Sequence, residues 1–149
     1  MYGKTSALSS YGRMANSEND PLRQIVMLYD GAMKFLRLAA EDIESRNIPQ
    51  KAEHVNRALD IVNYLQGILD FEVGGAVAKN LDGLYTQVSM KILRASAALD
   101  AGAMRAAADL LMPVCESWAV VASATDKLVA EVVAESSLQP RSRMGAMVA

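Results

Sequence analysis

Carboxylates are the commonest groups in this chain that could run chemistry, among them Asp30, Glu41, Asp42, Asp60, Asp70 and Glu72. Paired acids serve acid–base catalysis, and in a helical bundle inward glutamates hold a two-metal centre when joined by a Glu-x-x-His step. That step is absent, because the single histidine, His54, directly follows Glu53. One histidine and one cysteine, Cys115, supply neither a Cys/His zinc set nor an intramolecular disulfide. Both read as packed or locally hydrogen-bonded residues, Cys115 as a small hydrophobe on a core-facing helix. No Gly-x-x-x-x-Gly-Lys loop and no Gly-x-Ser-x-Gly elbow occurs. Gly74-Gly75 is too bare to cradle a phosphate and reads as backbone freedom at a tight connection between helices. No catalytic residue, metal ligand or cofactor is expected, and the chain is not read as an enzyme.

The elements that must position these residues are helical. The 149 residues suit one domain with a sizeable core. Fifteen basic and 17 acidic residues leave a net charge of −2, which argues against electrostatic nucleic-acid binding. The N-terminus lacks an apolar signal core, and no apolar run approaches the roughly 20 residues of a membrane span. A soluble, intracellular protein with no membrane insertion is therefore expected. Residues 1–19 are polar, with the apolar anchors Tyr2, Leu8, Tyr11 and Met14, and read as a mobile, loosely docked N-terminal segment. Residues 136–149 contain Pro140 and Gly145 and read as a flexible tail.

Residues 20–135 carry four apolar stripes with alternating steps of three and four. Asp20-Pro21 opens the first helix, with Leu22, Ile25, Tyr29, Ala32, Leu36, Ala39 and Ile43 in register. The second is expected from about Pro49 to Phe71, through Val55, Ala58, Val62, Leu65 and Leu69, with a break at Gly74-Gly75. The third follows Val77, Leu81, Leu84, Val88, Ile92, Ala95 and Leu99, and ends at Asp100-Ala101-Gly102. The fourth follows Met104, Ala107, Leu111, Val114, Trp118, Val121, Thr125, Leu128 and Val132. Pro113 sits within it and predicts a kink over residues 109–113 rather than a stop. Short connections place sequential helices antiparallel, which predicts an all-α, antiparallel up-down four-helix bundle.

The first helix has more apolar surface than one stripe needs: Val26, Met33 and Ala40, then Leu28 and Phe35. No helix of a four-helix bundle is central, so part of this surplus is expected on the outside, where adaptable methionines such as Met27, Met33, Met90 and Met104 suit a binding surface.

Three separated segments resemble the flagellin export chaperone family, FliS. They are Asp20-Pro21-x-x-x-Ile25-x-Met27-Leu28-Tyr29-Asp30-Gly31-Ala32, then Leu69-Asp70-x-Glu72-x-Gly74-Gly75-x-x-Ala78-x-Asn80-Leu81-x-x-Leu84-Tyr85, and Leu110-Leu111 with Trp118. Pro113 and the apolar stretch from Val129 to Ala134 depart from the pattern. The resemblance implies a cytoplasmic chaperone that binds the disordered C-terminal segment of flagellin. It would prevent premature polymerisation and deliver the cargo to the export gate protein FlhA. A homodimer is left open, and a bundle adaptor for another amphipathic helix is the alternative. The expected binding groove comprises Ile25, Met27, Leu28, Phe35, Leu81, Leu84, Tyr85 and Met90, capped by Leu8 and Tyr11. Tyr29, Asp30, Gly74, Gly75, Asn80 and Trp118 carry the motif, with Asp30 and Asn80 expected to hydrogen-bond near Gly74-Gly75.

Overall fold

The computed structural model describes residues 20–138. They form α1 (Pro21–Glu44), α2 (Ile48–Gly67), α3 (Phe71–Ala98) and α4 (Ala101–Leu138), with no strand among the described residues. The helices pack on one another as a four-helix bundle, α1 against α2 and α4, and α3 against the same two. Residues 1–19, with Leu8 and Tyr11, and the tail from residue 139 onward lie outside the described residues.

Each helix starts where a side chain replaces a missing backbone acceptor. Asp20 accepts the Arg23 N–H at 3.1 Å, ahead of Pro21. Asn47 accepts from Gln50 at 3.3 Å, and Asp100 from Ala103 at 2.9 Å. Asp70 accepts from both Glu72 and Val73 at 3.0 Å. The Asp70 cap corrects the expected boundary: α2 ends at Gly67, and Phe71 opens α3. The glycine break lies inside α3, where Gly75 adopts φ 50°, ψ −124°, a conformation that residues with an L side chain rarely adopt. α3 closes on Leu99 in the left-handed region.

The core is filled by Leu28, Tyr29, Leu36, Ile61, Val62, Leu65, Tyr85, Val88, Ile92, Met104 and Leu111, all nearly or fully buried. The outward surplus on α1 is smaller than expected: Leu28, Met33 and Ala40 are buried, while Val26 and Phe35 are half-buried. The reason is that α1 is pressed along its length against two neighbours, so its buried face is wider than a single stripe. α4 continues through Pro113, with Ser117 Oγ donating to the Pro113 carbonyl at 3.0 Å.

Two ion pairs fix α1 against α4. Arg105 forks onto Glu44 (Nη2–Oε1 2.5 Å, Nη1–Oε2 3.2 Å), and Arg23 reaches Asp126 (Nε–Oδ2 3.0 Å). Because α1 begins at Pro21 and Arg23 pairs with Asp126, the end of α4 beyond that level projects past α1, an overhang of about 15 Å at the helical rise. The stripe expected to be core therefore surfaces at Leu128 and Val132, which are 61% and 63% exposed, whereas Val121, 47% exposed, lies level with α1 but beside the buried Ala122. By length and composition alone α4 is long and apolar enough to cross a bilayer, although charged residues interrupt it and no continuous apolar run of about 20 residues occurs in it. Its first turns, with Met104, Ala107 and Leu111, are core of the bundle.

Candidate functional site

Where α2 hands over to α3 the bundle opens into an apolar slot of about 230 Å³. Ile25 enters from α1, Leu65 and Ile68 from the end of α2, and Trp118 from α4. The remaining wall is the first half of α3: Val73, Gly74, Val77, Ala78, Leu81 and Tyr85. The Asp70 carboxylate is the only charged side chain on the lining, and it is occupied in capping α3.

The slot owes its shape to the two glycines. At Gly74 a Cβ would stand 2.8 Å from the Ala78 Cβ, while the turn at Gly75 re-aims the first turn of α3. Val73 and Val77 are consequently 87% and 64% exposed, and Ile68 and Phe71 are about half exposed. Val77 had been expected in the core; the Gly75 break leaves it on the rim instead.

At the inner end of the slot, the Tyr29 and Tyr85 hydroxyls lie 2.5 Å apart, with ring centroids at 6.2 Å. Burial, reinforced by the mutual hydrogen bond, pushes Tyr29 far above the ordinary tyrosine range. Burial raises Tyr85 as well. Cys115 donates to Asp30 Oδ1 at 3.5 Å; burial first, then the Asp30 charge, push its thiol up to about 12. It is therefore a protonated, inert thiol at neutral pH.

Of the residues expected to form one groove, Ile25, Leu81 and Tyr85 line this slot, and so do the motif residues Gly74 and Trp118. Leu84 is partly buried against the core. Leu28 is 1% exposed and belongs to the interior, because the α1 face that carries it is covered by packed neighbours. Phe35 is stacked on His54 at 6.0 Å with Arg57 over its ring at 5.8 Å. His54 in turn meets Asp42 (Nδ1–Oδ2 2.5 Å), the locally hydrogen-bonded role read from the sequence. Met27 lines a separate crevice between α1 and α4 with Ala119, Ala122 and Ser123, and Met90 lines another at the opposite end of α3. Asn80 is exposed, and Asp30 is engaged with Cys115 instead of the glycine junction where both were expected to hydrogen-bond.

Sequence reasoning missed Leu65, Ile68, Val73 and Val77 as slot residues. Their signal was an apolar cluster flanking Gly74-Gly75, which periodicity alone assigns to core. Among the described residues, no group of three His, Cys, Asp or Glu is placed to hold a metal ion.

A sequence model of the family described as Flagellar protein FliS matches residues 4–125. The flagellar secretion chaperone FliSB of Pseudomonas aeruginosa is 31% identical over 102 residues, 68% of this chain and 81% of that protein. The flagellar secretion chaperone FliS of Salmonella typhimurium is 35% identical over 99 residues, 66% of this chain and 73% of its own length. That of Vibrio cholerae is 31% identical over 102 residues, 68% and 75% of the two chains.

Proposed function

This chain belongs to the FliS family of flagellar secretion chaperones, and on that premise we propose that it binds the C-terminal segment of flagellin, holds it back from polymerising and presents it to the export gate protein FlhA. The observation that carries this reading is the open apolar slot, whose rim residues Ile68, Val73 and Val77 are exposed. Such a surface suits a segment that is disordered alone and becomes helical on binding. The segment's ordering cost is met by the apolar area it buries. Ile25, Leu81, Tyr85 and Trp118 form the floor, Val73 and Val77 the rim, and the exposed stripe of α4 at Val121 and Leu128 extends the surface. Leu8 and Tyr11, which precede Asp20 at this same end of α1, are proposed to cover the slot until cargo arrives. Each fraction of time so covered lowers apparent affinity in proportion.

Trp118 is the sole tryptophan, so its emission reports this site alone. Titrating the C-terminal segment of the cognate flagellin should change that emission and release heat in a calorimeter. Val77→Asp, at an exposed position, should leave the bundle folded and cost about 1–3 kcal/mol of affinity. Absence of heat, together with no co-elution on a sizing column, would refute the reading.

A further inference from the structure

The overhang of α4 is apolar over most of its circumference, and every residue from Lys127 to Ser136 is exposed. Leu128, Val129 and Val132 are each more than half exposed. Its polar residues form one edge: Lys127, Glu131 and Glu135, each four apart. Lys127 stands nearest the bundle and the two acids nearest the helix end. Asp126 is committed to Arg23, and among the described residues no ion pair engages Glu131 or Glu135. The sequence that follows is complementary in both respects. After Glu135 its only charges are Arg141 and Arg143, and the apolar Met144, Met147 and Val148 come next.

We propose that residues 139–149 turn at Pro140 and run back along α4 as a strap over this overhang. Arg141 and Arg143 meet Glu135 and Glu131, and Met144 and Met147 lie on Leu128, Val129 and Val132. Proline disfavours a helical residue before it, so Pro140 turns the chain off the α4 axis just past Leu138. Six residues separate Arg141 from Met147, about 20 Å of extended chain, which spans an overhang of about 15 Å. The order of charges also fits, because the arginines leave the turn beside the acidic end and the methionines reach the apolar stretch below it. Apolar burial holds the strap, while exposed ion pairs set its register and add little affinity. A short tether gives an effective concentration on the order of millimolar, so a weak contact suffices. A second copy of the overhang would bring the same two acids with only Lys127 to answer them, and an anionic membrane would be repelled by both. The strap shields Leu128, which also extends the surface proposed for cargo, but its docking does not depend on that reading.

The test uses the full chain with Cys115→Ala and Gly145→Cys and a nitroxide attached at position 145. Amide signals of Leu128, Val129 and Val132 should be lost to paramagnetic broadening and return when the nitroxide is reduced. Added salt should weaken the loss. Arg141→Glu with Arg143→Glu should restore the signals, and Glu131→Lys with Glu135→Lys on that background should bring the loss back; circular dichroism checks that each variant keeps its helix content. Mixing nitroxide-bearing chains with isotope-labelled chains that lack the nitroxide should broaden nothing. Undiminished signals, or a loss that the charge reversal leaves unchanged, would overturn the proposal. So would broadening in the mixed sample, which means a second copy covers the face, or broadening confined to Leu81 and Tyr85, which means the tail sits in the slot. Broadening that appears only with phosphatidylglycerol vesicles would overturn it too. No flagellin is present, so failure here is distinct from failure of cargo binding.

Discussion

Replacing Tyr85 by Phe removes one hydroxyl from a pair of oxygens 2.5 Å apart in the interior. Tyr29 has 0% exposure, so its own hydroxyl cannot turn to water. The substitution loses a hydrogen bond with a net value of about 1 kcal/mol and strands a buried polar group, which together come to roughly 1–3 kcal/mol. Tyr29→Phe should cost a similar amount, since Tyr85 is 2% exposed. The double Phe variant removes both polar groups and strands neither. Its destabilisation should fall short of the sum of the singles by about 1 kcal/mol or more. Urea unfolding of the four proteins, followed by far-ultraviolet circular dichroism, closes the cycle. Additivity within about 0.5 kcal/mol would refute the reasoning, because independent sites behave that way. Alkaline pH gives a second measure. Burial raises both tyrosines, so the folded chain keeps protons that the unfolded chain releases; stability is full below pH of about 10 and should fall as pH rises beyond it. The double Phe variant should lose that part of the decline.

Cys115 should begin an earlier alkaline loss: its thiol is pushed up to about 12 when folded, so the stability it confers is intact below pH of about 9 and disappears on approach to the folded value. Cys115→Ala should flatten melting temperature against pH in that window. Gly75→Ala meets nothing within 4 Å but forces an L side chain to φ +50°, a cost of about 1–2 kcal/mol in thermal unfolding. Gly74→Ala fails for another reason, contact with Ala78, so Ala78→Gly should rescue Gly74→Ala and leave Gly75→Ala unrescued. Ser89 Oγ is buried without a hydrogen-bond partner; Ser89→Ala should raise stability by about 1 kcal/mol in urea unfolding.

The first helix start was legible because caps are local chemistry: Asp20-Pro21 announces itself within four residues. The four stripes were legible because helical burial has a fixed period. Periodicity is silent, however, on whether a neighbour is present at a given level. Leu128 and Val132 continue the α4 stripe in register, yet α1 starts too late to cover most of the stretch that carries them. Leu28 lies beside the α1 stripe, yet close packing on two sides buries it. Phe35 was read as outward because nothing in the spacing tells that His54 and Arg57, on α2, will cover its ring. The slot itself was half visible. Gly74-Gly75 marked a connection, but the Asp70 cap moved the break inside α3 and so carried Val73 and Val77 outward.

The uneven anchoring of α3 has a kinetic consequence. Before Tyr85, its only buried side chain is Ala78; after it come Val88, Ile92 and Ala95. A helix tied at one end and interrupted at Gly75 frays from the other, because opening there exposes little apolar surface. Its amides from Phe71 to Lys79 should therefore exchange with deuterium through a low-energy local opening, while those around Val88 and Ile92 exchange only when the whole bundle opens. The wall of the slot formed by this half-helix is thus a breathing wall. A partner bulkier than the resting gap can be admitted by displacing one turn, without disturbing the tyrosine pair behind it.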